Sequence, residues 1–259
     1  MIQGDLLYSV AGLLVGILVG LTGVGGGSLM TPLLVLAFGF HPATAVGTDL
    51  LYASVTKSVG TVVHGAGGTI DWRVVRRMAA GSVPATILTL LVLSRLDVTV
   101  GATAHVITVT LGLALIATAV AIFFRAQIVA AFVRSRPPRP AGQVAIATVV
   151  LGALLGVLVA LSSVGAGALG MTVLLILYPE LPTNRLVGSD IAHAVPLTLI
   201  AGTGHWLMGS VDLGLLGSLL LGSVPGIVLG SLAAHRVPDR VLRTVLAGTL
   251  AIVGAKLLV

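Results

Sequence analysis

No cysteine occurs among the 259 residues of this chain, which excludes disulfides, thiolate metal sites and thiol chemistry. Charge is almost as scarce. Only 8% of residues are Asp, Glu, Lys or Arg, against about a quarter in a soluble domain, so an ordinary solvated surface is excluded as well. Acidic groups are fewer than basic ones, and the formal net charge is +6. That excess is too sparse for a nucleic-acid footprint and fits basic loops facing an anionic cytoplasmic leaflet. No nucleophile–base pair is evident. No His/Asp/Glu spacing suits a metal. The run G-V-G-G-G-S lacks the Gly-Lys-Ser/Thr ending of a phosphate loop. No enzyme, cofactor or metal is therefore expected.

Hydrophobic residues make up 57% of the chain and the mean hydropathy is +1.15. Apolar stretches run over 6–22, 28–38, 43–64, 74–94 and 98–124. They resume at 144–161, 168–178, 184–208, 213–235 and 240–258. These lengths suit repeated crossings of a bilayer. Met1–Gly12 carries Asp5 and no Lys or Arg, so it does not read as a secretory signal peptide.

The two sets of stretches echo each other. T-G-V-G-G-G-S-L from Thr22 answers S-S-V-G-A-G-A-L from Ser162. Gly47-Thr48-Asp49 matches Gly188-Ser189-Asp190, 141 residues on. His64 matches His205, Asp71 matches Asp212, and Gly81–Pro84 matches Gly222–Pro225. An internal duplication with a glycine-broken segment in each half is a transporter pattern. We expect a first repeat over 1–124, a basic proline-rich connector over 125–143 and a second repeat over 144–259, forming one membrane domain.

Residues 6–38 would make a helix of about 50 Å, too long for one crossing of a core of about 30 Å and too short for two with a turn. Four glycines, Gly23, Gly25, Gly26 and Gly27, interrupt it. The reading is a re-entrant pair of half-helices that meet near mid-membrane. Residues 144–178, broken near Gly165–Gly167, form its counterpart. Such backbone survives in a bilayer only under cover of protein or a watery cavity.

Loop charge supports three further crossings per half and an inverted second half. With that count Arg73, Arg76, Arg77, Arg125, Arg134, Arg136, Arg139, Arg185, Arg236, Arg240 and Arg243 share one face, and only Arg95 and Lys256 lie opposite. The positive-inside bias then puts the connector in the cytoplasm and both termini outside. The fold class is an all-α polytopic membrane protein of two inverted repeats, each a broken helix pair plus three transmembrane helices.

Free amides at a broken helix and the positive end of its dipole suit an anion. Candidate substrate-binding residues are Thr22, Gly23, Gly25, Gly26, Gly27 and Ser28 in one half, and Ser162, Ser163, Gly165 and Gly167 in the other. Small residues that let helices approach closely are the alternative reading. Lys57 is costly within its apolar stretch, so it binds the anion or pairs with Asp49 or Asp190. Ser54, Lys57, Thr61 and His64 share one helix face. Asp49 and Asp190 are candidates for coupling or gating, through protons, helix capping or pairing with Lys57. His64, His193 and His205 join them. Asp71 and Asp212 read as helix N-caps, and Pro84 and Pro225 as kinks inside twin helices.

The segments Gly20–Ser28 (G-L-T-G-V-G-G-G-S), Ala45–Lys57 (A-V-G-T-D-L-L-Y-A-S-V-T-K) and His64–Arg73 (H-G-A-G-G-T-I-D-W-R) resemble the sulfite exporter TauE/SafE family. The second-half echoes match more loosely, with Ala166 and Ala168 in place of Gly26 and Ser28. The resemblance covers nearly the whole chain. It implies a duplicated helix bundle in the inner or plasma membrane that moves small sulfur-containing anions such as sulfite or organosulfonates. The expected partners are that anion and the bilayer, with no nucleic acid, and a homo-oligomer stays open. The rivals are an anion channel of the same fold, a membrane-embedded enzyme or sulfur-relay partner, against which the lack of cysteine argues, a proton-coupled carrier of another small solute, and a cation carrier built on Asp49 and Asp190.

Overall fold

The computed structural model describes residues 2–22, 27–96, 102–134, 140–233 and 239–258. Of the residues singled out above, Gly23, Gly25, Gly26, Arg136, Arg139 and Arg236 lie outside these. The described residues form eleven helices: α1 Ile2–Thr22, α2 Gly27–Leu36, α3 Pro42–Ala66, α4 Trp72–Leu93, α5 Ala102–Phe123 and α6 Arg125–Arg134, then α7 Ala141–Ser162, α8 Ala168–Leu177, α9 Thr183–Leu207, α10 Leu213–Ala233 and α11 Asp239–Leu258.

Local signals explain the starts. Asp71 caps α4 by accepting from the Arg73 and Val74 amides, and Asp212 accepts from Leu215 at the start of α10. Pro140 and Pro182 precede α7 and α9 with φ of −55° and −56°. Among the described residues five helical segments are long and apolar enough to cross a membrane: Trp72–Leu93, His105–Phe123, Ala141–Ser162, Thr183–Leu207 and Leu213–Gly230. Leu14, Leu88, Leu113, Leu154, Leu221 and Ile252 point outward and exposed, as a lipid-facing surface requires.

The helices pack through small residues. A Cβ built on Gly12 would lie 2.3 Å from the Leu219 carbonyl oxygen, and one on Gly16 would lie 2.6 Å from that of Ser223. So α1 runs alongside α10 in the same direction. The twin contacts are Gly152 on Met78 and Gly156 on Ser82, which set α7 parallel to α4. Between these pairs, α3 and α9 run antiparallel. Gly47 meets His205 and Ser210, Gly60 meets Ile191, and Gly188 meets His64 and Thr69. Their ends are tied reciprocally: the Asp212 amide donates to Thr48 Oγ1 (3.1 Å), and the Asp71 amide donates to Ser189 Oγ (2.8 Å). Lipid tails give helices little hydrophobic reason to associate, so this close fit and these bonds hold the bundle.

Each broken pair folds back so that its second arm ends beside a point about two turns into the first. Tyr8 of α1 stacks edge-on against Phe38 after α2, with ring centroids 5.2 Å apart. Thr148 of α7 shares a 2.8 Å hydroxyl bond with Tyr178 after α8. The arms are unequal, which departs from two half-helices. α7 has 22 residues, about 33 Å, while α8 has 10, about 15 Å. The apolar run continues to Ser162 with only the isolated glycines Gly152 and Gly156, which pack against α4, so only the second arm is short. The expected connector differs too. Arg125–Arg134 is helix α6, because R-A-Q-I-V-A-A-F-V-R holds strong helix formers and no proline. It packs on α8 and α5.

Candidate functional site

The second break is built from Ser162 to Gly167. Helix α7 stops where Ser163 turns left-handed, with φ of 59°. Ser162 Oγ donates back to the Leu158 carbonyl (2.7 Å) and accepts the Val164 amide (3.2 Å), so it holds the turn and is not free for a ligand. Gly165 has φ of 118°, a conformation that side chains disfavour. Gly167 stands before α8 with no side-chain cap on the helix. The first turn of α8 is therefore buried without a side-chain cap, while its Gly170 amide donates back to the Gly165 carbonyl (3.2 Å). Ser163 Oγ is buried without a hydrogen bond. In the first half Thr22 closes α1, and Gly27 and Ser28 open α2.

Two carboxylates face these short helices. Asp49 of α3 is fully buried. Its Oδ2 accepts from Thr31 of α2, its Oδ1 has no hydrogen bond, and Ser163 lies beside it. Asp190 of α9 is 5% exposed. Its Oδ1 lies 2.7 Å from where a Cβ on Gly170 would be, so it rests on the first turn of α8, and it too has no hydrogen bond. Lys57, half-buried on α3, is within electrostatic reach of both Asp190 and Asp49. Arg125, at the start of α6, is within reach of Asp190.

The structure therefore gathers Ser163, Asp49, Asp190 and Lys57 around the second break. It also brings in Thr31 and Arg125, which sequence reasoning passed over. Thr31 was legible as a hydroxyl in an otherwise apolar run. Arg125 looked like one more connector charge. The face of Ser54 and Thr61 contributes less than expected, because their hydroxyls donate to the Leu51 and Lys57 carbonyls of their own helix.

The histidines divide. His193 is fully buried within electrostatic reach of Lys57, and its Nε2 shares a 2.8 Å hydrogen bond with Ser82 of α4. His64 and His205 sit at the reciprocal contacts of α3 with α9. His64 Nδ1 bonds Thr69 Oγ1 (2.8 Å), and His205 Nε2 bonds the Ala160 carbonyl (2.9 Å). Both rings lock helix ends. Among the described residues no three His, Asp or Glu side chains cluster as a metal site would need.

Residues 8–257 match the family described as Sulfite exporter TauE/SafE. The chain is 37% identical over 251 residues to the Probable membrane transporter protein YjnA of Bacillus subtilis (strain 168), covering 95% of this chain and 97% of that one. A shorter match, 43% identical over 58 residues, joins it to the Probable membrane transporter protein YunE of the same organism, covering 22% of this chain and 21% of that one. No solved structure matches the chain significantly.

Proposed function

Because the chain belongs to the sulfite exporter TauE/SafE family of membrane transporters, and is not an enzyme, we propose that it is a secondary exporter of small sulfur-containing anions, sulfite or an organosulfonate. The observation that carries this reading is the buried first turn of α8, which has no side-chain cap, with the unbonded Ser163 hydroxyl in the turn before it and Lys57 within electrostatic reach of the Asp190 carboxylate that lies on it. A helix N-terminus in a low-dielectric setting favours negative charge, and it is worth more there than in water. Ser162, Gly165 and Gly167 shape that turn. The sequence reading adds Thr22, Gly23, Gly25, Gly26, Gly27 and Ser28 from the first half as further binding residues, of which Gly23, Gly25 and Gly26 lie outside the described residues. Lys57 adds the one formal charge whose twin position, Thr198, cannot match it.

The two halves are inverted repeats. The antiparallel contacts of α3 with α9 and the parallel ones of α1 with α10 support this, since a parallel duplication would set α3 and α9 in the same direction. In such a pair, rocking of one repeat against the other opens the central site to each side in turn. The protein sits in the plasma or inner membrane with the 125–143 connector in the cytoplasm and both termini outside. The membrane potential then favours anion exit. Asp49, Asp190 and His193 are the gating groups closest to the seat.

The test is flux of radiolabelled sulfite in liposomes carrying the purified protein. Saturable counterflow is expected, and Lys57→Ala should cut the rate about tenfold or more while the melting temperature holds, since a charge-assisted bond is worth about 1.5–3 kcal/mol. Normal flux in that variant removes the lysine from the mechanism. An ohmic current without counterflow makes the protein a channel.

A further inference from the structure

A carboxylate of the protein itself stands at the seat beside α8 without a hydrogen bond to it. Asp190 presses Oδ1 onto the first turn of α8. Lys57 from α3 and Arg125 from α6 are within electrostatic reach of that carboxylate, and His193 stands one turn along its own helix. Asp49 is the other acid near Lys57. One carboxylate thus lies on the first turn of a helix that has no side-chain cap, within electrostatic reach of two cations, a setting that suits a doubly charged oxyanion better than a single side chain. The Arg125 Nε is shielded from solvent, and α6 packs directly on α8. The guanidinium is therefore brought to this place by the fold and does not reach out from a solvated loop.

We propose that Arg125 is a substrate-binding residue of this transporter, pairing with Lys57 across the first turn of α8 to seat a small oxyanion, and that Asp190 is a tethered competitor which the oxyanion displaces. The inference rests on the anion-exporter reading above and adds to it a second cation and a gate. Guanidinium is the group that grips two oxygens of one oxyanion at once. Because Arg125 opens the helix that joins the halves, filling the seat and positioning the connector become one event. The carboxylate keeps the cations neutralised while no substrate is present, which avoids an uncompensated charge in the bilayer interior.

The experiment measures the melting temperature of the purified full-length protein against sodium sulfite at fixed ionic strength, with sodium chloride as control. A ligand that binds the folded state raises that temperature in a saturable way. Arg125→Gln should raise the half-saturating sulfite concentration by about tenfold or more, and Arg125→Lys by less. Asp190→Asn should lower it, because the competitor loses its charge. A structural ion pair alone predicts that the two neutral variants lose stability together and leave the sulfite response unmoved or shifted in the same sense. Either result overturns the proposal while leaving an anion site intact. If Arg125→Gln does not fold, the Lys variant decides: a sulfite response equal to wild type overturns the role of Arg125. A wild-type protein that sulfite, sulfate and thiosulfate all fail to stabilise removes both this inference and the reading beneath it.

Discussion

At Gly222 two backbones touch. A Cβ there would fall 1.7 Å from the Ser9 carbonyl oxygen, so even alanine forces α1 and α10 apart. Overpacking of this kind costs about 1–3 kcal/mol, and Gly222→Ala should lower the melting temperature by roughly 5 °C. Gly217, one and a half turns earlier on α10, meets nothing within 4 Å. Gly217→Ala should leave the temperature unchanged or raise it, since alanine is the better helix former. Equal losses in the two variants would mean that the contact does not hold the bundle. The sequence marks both positions with the same letter. What separates them is the partner helix, which no local pattern names. The echo of Gly81 by Gly222 was legible, and so were the caps Asp71 and Asp212, because duplication and capping are local. The break near Gly165 and Gly167 was legible too, whereas the packing role of Gly81 and Gly222 became plain only from the contacts.

Elements were legible in proportion to how much of their signal is hydropathy. The ten apolar stretches correspond to ten helices, and the ends differ by a few residues. The helix that went unread is α6, whose arginines and polar neighbours resemble a linker until its apolar side finds α8. The break lengths were misjudged for a related reason. Glycines locate an interruption but do not say how far a helix runs before it. The strain at the break can be tested. Gly165→Ala meets an unfavourable φ and places its methyl 2.9 Å from Leu158, a cost of about 1–3 kcal/mol. Sulfite flux should fall sharply in this variant. Gly209→Ala has a similar backbone demand at φ 75° but open space and a loop position, so it should lose stability modestly and keep its flux. Loss of flux in the second variant and not the first would detach the break from transport.

The whole molecule poses a question of direction that its composition makes easy to ask. With no native cysteine, a single introduced thiol reports one position alone. Leu96, after α4, and Glu180, between α8 and α9, are both exposed. α4 leads away from the level of Arg77, whose guanidinium donates to the Tyr178 hydroxyl at 3.1 Å. Glu180 therefore lies near the starting end of α4, and Leu96 lies past its far end, about 33 Å along 22 residues. The basic side chains Arg73, Arg76, Arg77 and Arg185 cluster at the Glu180 level, so that level should face the cytoplasm. A membrane-impermeant maleimide applied to intact cells should label Leu96→Cys and spare Glu180→Cys until the membrane is opened. The reverse pattern would turn the molecule over. It would place the arginine-rich end and α6 outside, and an anion leaving the cell would then no longer enter the seat from the side on which Arg125 stands.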